Sequence, residues 1–109
     1  MSRVQLALNV SNIDEAVEFY SKLFTTAPAK RREGYANFAV DEPPLKLVLI
    51  ENAEASDRLN HLGVEVFSTD EVTAAQARLA GDGLVTVTEE NVTCCYAVQD
   101  KVWVDDPDG

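Results

Sequence analysis

Residues 3–10 alternate strictly, with Val4, Leu6, Leu8 and Val10 on one side and Arg3, Gln5, Ala7 and Asn9 on the other. A period of two predicts a strand with one apolar face. Ser11-Asn-Ile-Asp14 then offers a capping-box-like start, and Ala16, Phe19, Tyr20 and Leu23 form a helical stripe before Pro28 closes the connection. Three short strand-like runs follow, over 29–32, 35–40 and 45–50, with Gly34 and Glu42-Pro-Pro44 as the turns between them. The first half therefore reads βαβββ. After a polar linker over 51–59 the pattern restarts. His61, Gly63 and Glu65 alternate with Leu62, Val64 and Val66, and Ser68-Thr-Asp-Glu71 offers a second cap. Val72, Ala75, Gln76 and Leu79 continue a helix that Gly81 can end, and strands are predicted over 85–89 and 96–104.

The two halves superpose at one fixed offset of 56 residues. Gln5 falls on His61, Leu6 on Leu62, Leu8 on Val64, Val10 on Val66, Asp14 on Asp70, Glu15 on Glu71 and Leu23 on Leu79. A register without gaps through strand, cap and helix is evidence of duplication. The expected fold is α+β, a single domain over 1–109 built from two tandem βαβββ modules that share an open-barrel cleft. Module one covers about 1–52 and module two about 58–109. The second module has two strands after its helix where the first has three, and Asp105-Asp-Pro-Asp-Gly109 reads as a turn. The final strand of module two is thus expected to be missing from these residues, with the natural polypeptide continuing past them.

Composition narrows the class. The 109 residues can bury one core without staples. A net charge of −10 argues against a nucleic-acid partner, which needs clustered Lys and Arg. No apolar run approaches the roughly 20 residues of a membrane helix, and the first residues lack the apolar core of a signal peptide. A cytoplasmic protein is expected, and two reduced cysteines fit that compartment.

Those cysteines, Cys94 and Cys95, are adjacent and are the only two in the chain. A disulfide between neighbours is strained. As two thiolates they can instead grip one soft centre, although a pair of small strand residues explains them equally well. His61 is the only histidine. Alone it reads as a structural residue; the repeat pairs it with Gln5 across a pseudo-twofold, both on the polar strand face and both toward a shared cleft. An amide oxygen, an imidazole and a carboxylate would vary the facial triad that binds Fe(II). Glu65, Asp105 and Asp106 are the carboxylates at hand, and none has the expected place. Lys101 is the cation nearest the thiols in sequence. Trp103 and Tyr96 read as core before cleft, and Lys30-Arg31-Arg32 as a solvated edge. The Asp105–Asp108 cluster lacks the rest of a calcium loop.

At this point the chain resembles the vicinal oxygen chelate superfamily, which includes glyoxalase I, extradiol dioxygenases and antibiotic-resistance proteins. Within it, four stretches resemble the organoarsenical carbon–arsenic lyases and their cadmium-inducible relatives. They are Gln5-Leu-Ala-Leu-Asn-Val10; Gly34-Tyr-Ala-Asn-Phe-Ala39 with Pro44-Leu-Lys-Leu-Val-Leu49; Leu59-Asn-His-Leu-Gly-Val64; and Thr93-Cys-Cys through Val104. The resemblance implies that Gln5 and His61 are metal ligands and that Cys94 and Cys95 hold the trivalent arsenic of the substrate. It implies Fe(II) as cofactor, dioxygen as co-substrate and inorganic arsenite as product. The third ligand it implies, a glutamate, is expected beyond Gly109, and no catalytic residue is implied beyond the metal ligands.

Two other readings stay open. A non-enzymatic thiol protein that sequesters cadmium or arsenic would need the cysteines but not Gln5 or His61. A glyoxalase-like isomerase would need the metal site and ignore the cysteines. Open strand edges would favour a homodimer in any of these.

Overall fold

The computed structural model describes residues 2–94 and 97–109, with side chains over 2–89 and 101–109. Seven strands and two helices follow in the order β1 (Ser2–Val10), α1 (Ile13–Phe24), β2 (Lys30–Arg32), β3 (Tyr35–Val40), β4 (Leu45–Glu51), β5 (Leu59–Val66), α2 (Thr69–Gly81), β6 (Val87–Cys94) and β7 (Ala97–Trp103). They group into two compact units, Met1–Glu65 and Val66–Gly109.

In the first unit five strands form one mixed sheet in the order β2-β3-β4-β1-β5. β1 runs parallel to β4, with Leu6 opposite Leu47 and Leu8 opposite Leu49, while β3 and β4 are antiparallel. One face of this sheet carries Phe38, Leu47 and Leu49, all fully buried, and α1 covers it through Ile13 and Val17. The opposite face carries the odd-numbered residues of β1. The repeat boundary and the structural boundary differ here: β5, the first strand of the second repeat, joins the sheet of the first.

α1 begins at Asn12, whose side-chain oxygen accepts from the Glu15 N–H at 3.0 Å. Ser68 does the same for the Glu71 N–H at the start of α2. These caps are themselves 56 residues apart, so the offset found in the side-chain pattern extends to the helix starts. The buried face of α1 is rotated from the expected stripe. Ile13, Ala16, Val17, Tyr20 and Phe24 face the core, whereas Phe19 and Leu23 are each 58% exposed. Both sets satisfy helical spacing, and the position of the sheet selects between them. α1 ends on Thr25 in the left-handed region at φ 50, an unusual place for a β-branched residue.

In the second unit α2 packs along β7, with Val72, Ala75, Gln76 and Leu79 half-buried as the pattern predicts. No residue of α2 is fully buried. Gly81 is the last helical residue rather than the stop. The reversal falls on Gly83, at φ 86. β6 starts two residues later than expected and runs on to Cys94, pairing antiparallel with β7 through an irregularity between Glu89 and Val92. Gly109 N–H donates to the Asp106 carbonyl at 3.0 Å, closing the turn expected there.

An ion triad ties β1, β4 and β5 together. Glu65 accepts from Arg3 Nε at 2.5 Å and from Lys46 Nζ at 3.0 Å, with all three side chains about four-fifths buried. Burial alone would raise the Glu65 carboxyl, but the hydrogen bonds from Lys46 and Arg3, and then their charges, outweigh it and hold the group below its ordinary value of 4.5.

Two outcomes follow from this framework. Leu47→Ala, at a side chain 1% exposed, should cost about 2–5 kcal/mol in a urea titration. A fully folded variant with unchanged midpoint would contradict the placement of the core. For the triad, the unfolded state binds the Glu65 proton more tightly than the folded state does. Its contribution is therefore complete above the ordinary carboxylate value and is lost as pH falls through the lower folded value. Glu65→Gln should cost about 1 kcal/mol at neutral pH and flatten that part of the stability curve. An acid limb as steep as in the parent would show that Glu65 does not contribute to it.

Candidate metal centre

The pairing of β1 with β5 brings the two repeats together, and the offset-related pair Gln5 and His61 lies within it. Asn9 N–H donates to the Arg58 carbonyl at 2.7 Å, and Arg3 meets Glu65. Partners therefore climb one strand as they descend the other, as in an antiparallel pair. Between those contacts lie Gln5 and His61, with Gln5 Nε2 and His61 Nε2 3.3 Å apart. Each is half-buried.

The other imidazole nitrogen is also engaged. His61 Nδ1 lies 2.8 Å from Asn60 Oδ1. Asn60 Nδ2 donates to Asn9 Oδ1 at 3.1 Å, and Asn9 Nδ2 donates to the Asp57 main-chain carbonyl at 2.9 Å. Asn9 is 8% exposed, a buried polar residue with both side-chain atoms satisfied.

The Gln5–His61 pair has the dimensions of two neighbouring donors on one cation. Bonds of about 2.1 Å at tetrahedral or octahedral angles place adjacent donors about 3.0–3.4 Å apart. The facing atom of Gln5 is the amide nitrogen, and a half-turn of the amide exchanges it for Oε1 without moving the rest of the side chain. Gln5 and His61 thus fit two ligand positions. Among the described residues no cluster of three or more His, Cys, Asp or Glu side chains is placed to hold an ion. Glu65, on the same face of β5 as His61, is taken up by Arg3 and Lys46. Asp106 uses Oδ1 to accept from the Asp108 N–H at 3.0 Å within its own turn, and Asp105 is exposed past the end of β7.

Cys94 is the last residue of β6, opposite Ala97 of β7. Cys95 and Tyr96 lie outside the described residues, so the expected thiol pair cannot be placed as a pair. Lys101 holds its ammonium 5.4 Å from the centre of the Trp103 ring, a cation–π distance. Trp103 also lines a shallow hollow of about 280 Å³ with Leu84, Val87 and Val104.

Sequence reasoning passed over Asn9 and Asn60. The alternation of β1 puts Asn9 on the polar face with Gln5, which is a weak signal, but its partner on β5 is visible only once the strands pair. A cleft of about 550 Å³ opens beside Asn9 at the start of α1, where Asn12, Tyr20, Asn52 and Arg58 contribute to its wall. Neither Gln5 nor His61 lines it.

Comparison with known proteins places the chain in a family. Residues 3–109 match the sequence profile of the Glyoxalase/Bleomycin resistance protein/Dioxygenase superfamily. The chain is 61% identical over 109 residues to the cadmium-induced protein CadI of Mycobacterium tuberculosis, covering all of this chain and 72% of that one. It is 62% identical over 110 residues to a trivalent organoarsenical cleaving enzyme of Thermomonospora curvata, covering all of this chain and 73% of the relative. Among solved structures, one titled as a NAD-dependent benzaldehyde dehydrogenase from Legionella pneumophila superposes with a TM-score of 0.61 at 19% identity. The match covers 96% of this chain and 90% of that one. At that identity the likeness speaks to the fold alone. The profile match over nearly every residue and the two close relatives lead to one conclusion: the chain belongs to the glyoxalase/bleomycin resistance protein/dioxygenase superfamily.

Proposed function

We propose that this protein cleaves the carbon–arsenic bond of trivalent organoarsenicals, with Fe(II) held by Gln5 and His61 and with dioxygen as oxidant, releasing inorganic arsenite. The observation that carries the reading is the 3.3 Å approach of Gln5 and His61 at equivalent positions of the repeat. The relative that is 62% identical and named for trivalent organoarsenical cleavage supplies the substrate class. Bound Fe(II) with open positions supplies the activation of dioxygen.

The chain's own residues divide the remaining work. Gln5 offers Oε1 and His61 offers the Nε2 lone pair, a neutral donor set that leaves the ion its charge. Cys94 and Cys95 bind the arsenic through two sulfur–arsenic bonds, each replacing an arsenic hydroxyl that leaves as water with the thiol proton. Two of the three arsenic valences are then on sulfur, and the organic group is the third. It is the arm presented for cleavage: for a methyl group, one dioxygen takes four electrons from the carbon, which leaves as formaldehyde, while the arsenic stays trivalent and gains its third hydroxyl. The ion triad at Glu65 stiffens the strands that carry Gln5 and His61, which limits drift between the two ligands.

A second reading is favoured by a specific observation, the 61% identity to a protein named as cadmium-induced. It is sequestration by the two thiols without turnover. The test separates the two. The full gene product, loaded with Fe(II) without oxygen, is mixed with a trivalent methylarsenical and then with air, and arsenic species are separated by chromatography. Arsenite should form, and should fall by at least about a hundredfold in His61→Ala and in Cys94→Ser/Cys95→Ser. Tight arsenical binding that needs the cysteines, without arsenite, would replace the lyase with sequestration. Arsenite formation unchanged in the double-serine variant would remove the thiols from the reaction.

A further inference from the structure

The contacts around His61 determine where its proton sits. The deduction starts from a group with no ambiguity. The Asp57 main-chain carbonyl can only accept, so the Asn9 atom 2.9 Å away must be the NH₂ nitrogen. That orientation turns Asn9 Oδ1 toward Asn60, so the Asn60 atom 3.1 Å from it must be the donor Nδ2. Asn60 Oδ1 is then the atom 2.8 Å from His61 Nδ1, and an amide oxygen has no proton to give. Nδ1 must therefore carry the hydrogen. In neutral imidazole this leaves Nε2 with its lone pair, and Nε2 is the nitrogen that faces Gln5.

We propose that Asn60, oriented by Asn9, is a positioning residue that fixes His61 in the Nδ1–H form and aims the Nε2 lone pair at the Gln5 side of the site. Histidine free in water prefers the opposite form, with the proton on Nε2, so the asparagine chain works against the intrinsic preference. A neutral side-chain carbonyl in this position also leaves the imidazole less electron-rich than a carboxylate would. The metal role of this arrangement rests on the reading of His61 as a ligand. The tautomer itself does not.

Because His61 is the only histidine, the protein shows a single imidazole by NMR. Long-range proton–nitrogen correlation on ¹⁵N-labelled, metal-free protein, at a pH where imidazole is neutral, reads the tautomer directly. The expected result is a protonated Nδ1 and a bare Nε2 in the parent. In Asn60→Ala the two nitrogen shifts should move toward the Nε2–H form. Asn60→Asp keeps an acceptor for Nδ1 while giving up the donor to Asn9 Oδ1, so it should restore Nδ1–H without the link to Asn9. Fe(II) affinity measured anaerobically should fall about 10–100-fold in Asn60→Ala and recover in Asn60→Asp. Asn60 is exposed, and an unchanged melting temperature in these variants keeps the comparison free of unfolding.

A parent with its proton on Nε2, or an Asn60→Ala spectrum identical to the parent, overturns the proposal. So does an Asn60→Ala variant that changes tautomer but binds Fe(II) as before, because the asparagine would then not serve the ion. The ligand reading fails separately, through a His61→Ala variant whose Fe(II) affinity equals that of the parent.

Discussion

The arrangement depends on the antiparallel seam between β1 and β5. That seam is where the second repeat joins the sheet of the first, and every polar contact of interest lies along it: Arg3 with Glu65, Gln5 with His61, and Asn9 with Asn60. A shift of one residue along the seam would turn each of these side chains to the other face. Register is held from both ends. The ion triad locks one end, and the Asn9 main-chain and side-chain bonds to 57–60 lock the other. The candidate ligands sit between two locks.

The physical division of the sheet follows from alternation alone. One face of β1, β3 and β4 is aliphatic and aromatic, and burying it under α1 drives the folding of the first unit. The other face is then free to carry groups that a core would not tolerate. Gln5, Asn9, Lys46, His61 and Glu65 each have a polar partner, so none bears the cost of an unsatisfied polar group. A face built this way is rigid and polar together, which suits the holding of an ion between neutral donors.

Much of this was readable from residues. Period-two runs located β1 and β5, short strand-like runs between turn residues located β3 and β4, and Ser68 marked the start of α2. The repeat offset pointed at Gln5 and His61 because internal symmetry converts a distant pair into a local comparison. Phase was less legible. Phe19 and Leu23 satisfy the same helical spacing as Val17 and Tyr20, and only the sheet beneath decides between them. Asn12 rather than Ser11 caps α1, since both residue types can do so. Asn60 was invisible as a functional residue: its importance comes from a partner on another strand, and nothing in its own neighbourhood announces that. Cys94 is placed at the end of a strand, but a vicinal pair is a two-residue object and only one of its backbones is described.

The distribution of burial has a consequence for local stability. Every fully buried hydrophobic side chain among the described residues lies between Ala7 and Leu49, in the first unit. The second unit keeps α2 only half-covered and leaves Val85 87% exposed. Among the described side chains the reserves against opening are therefore unequal, and amide hydrogen exchange is expected to sample α2 long before the strands of the first unit. β6 belongs to the second unit, and Gln5 and His61 to the first. Gln5 and His61 lie on strands of the first unit, so the two side chains can stay together through openings confined to the second, at a free-energy cost well below that of global unfolding.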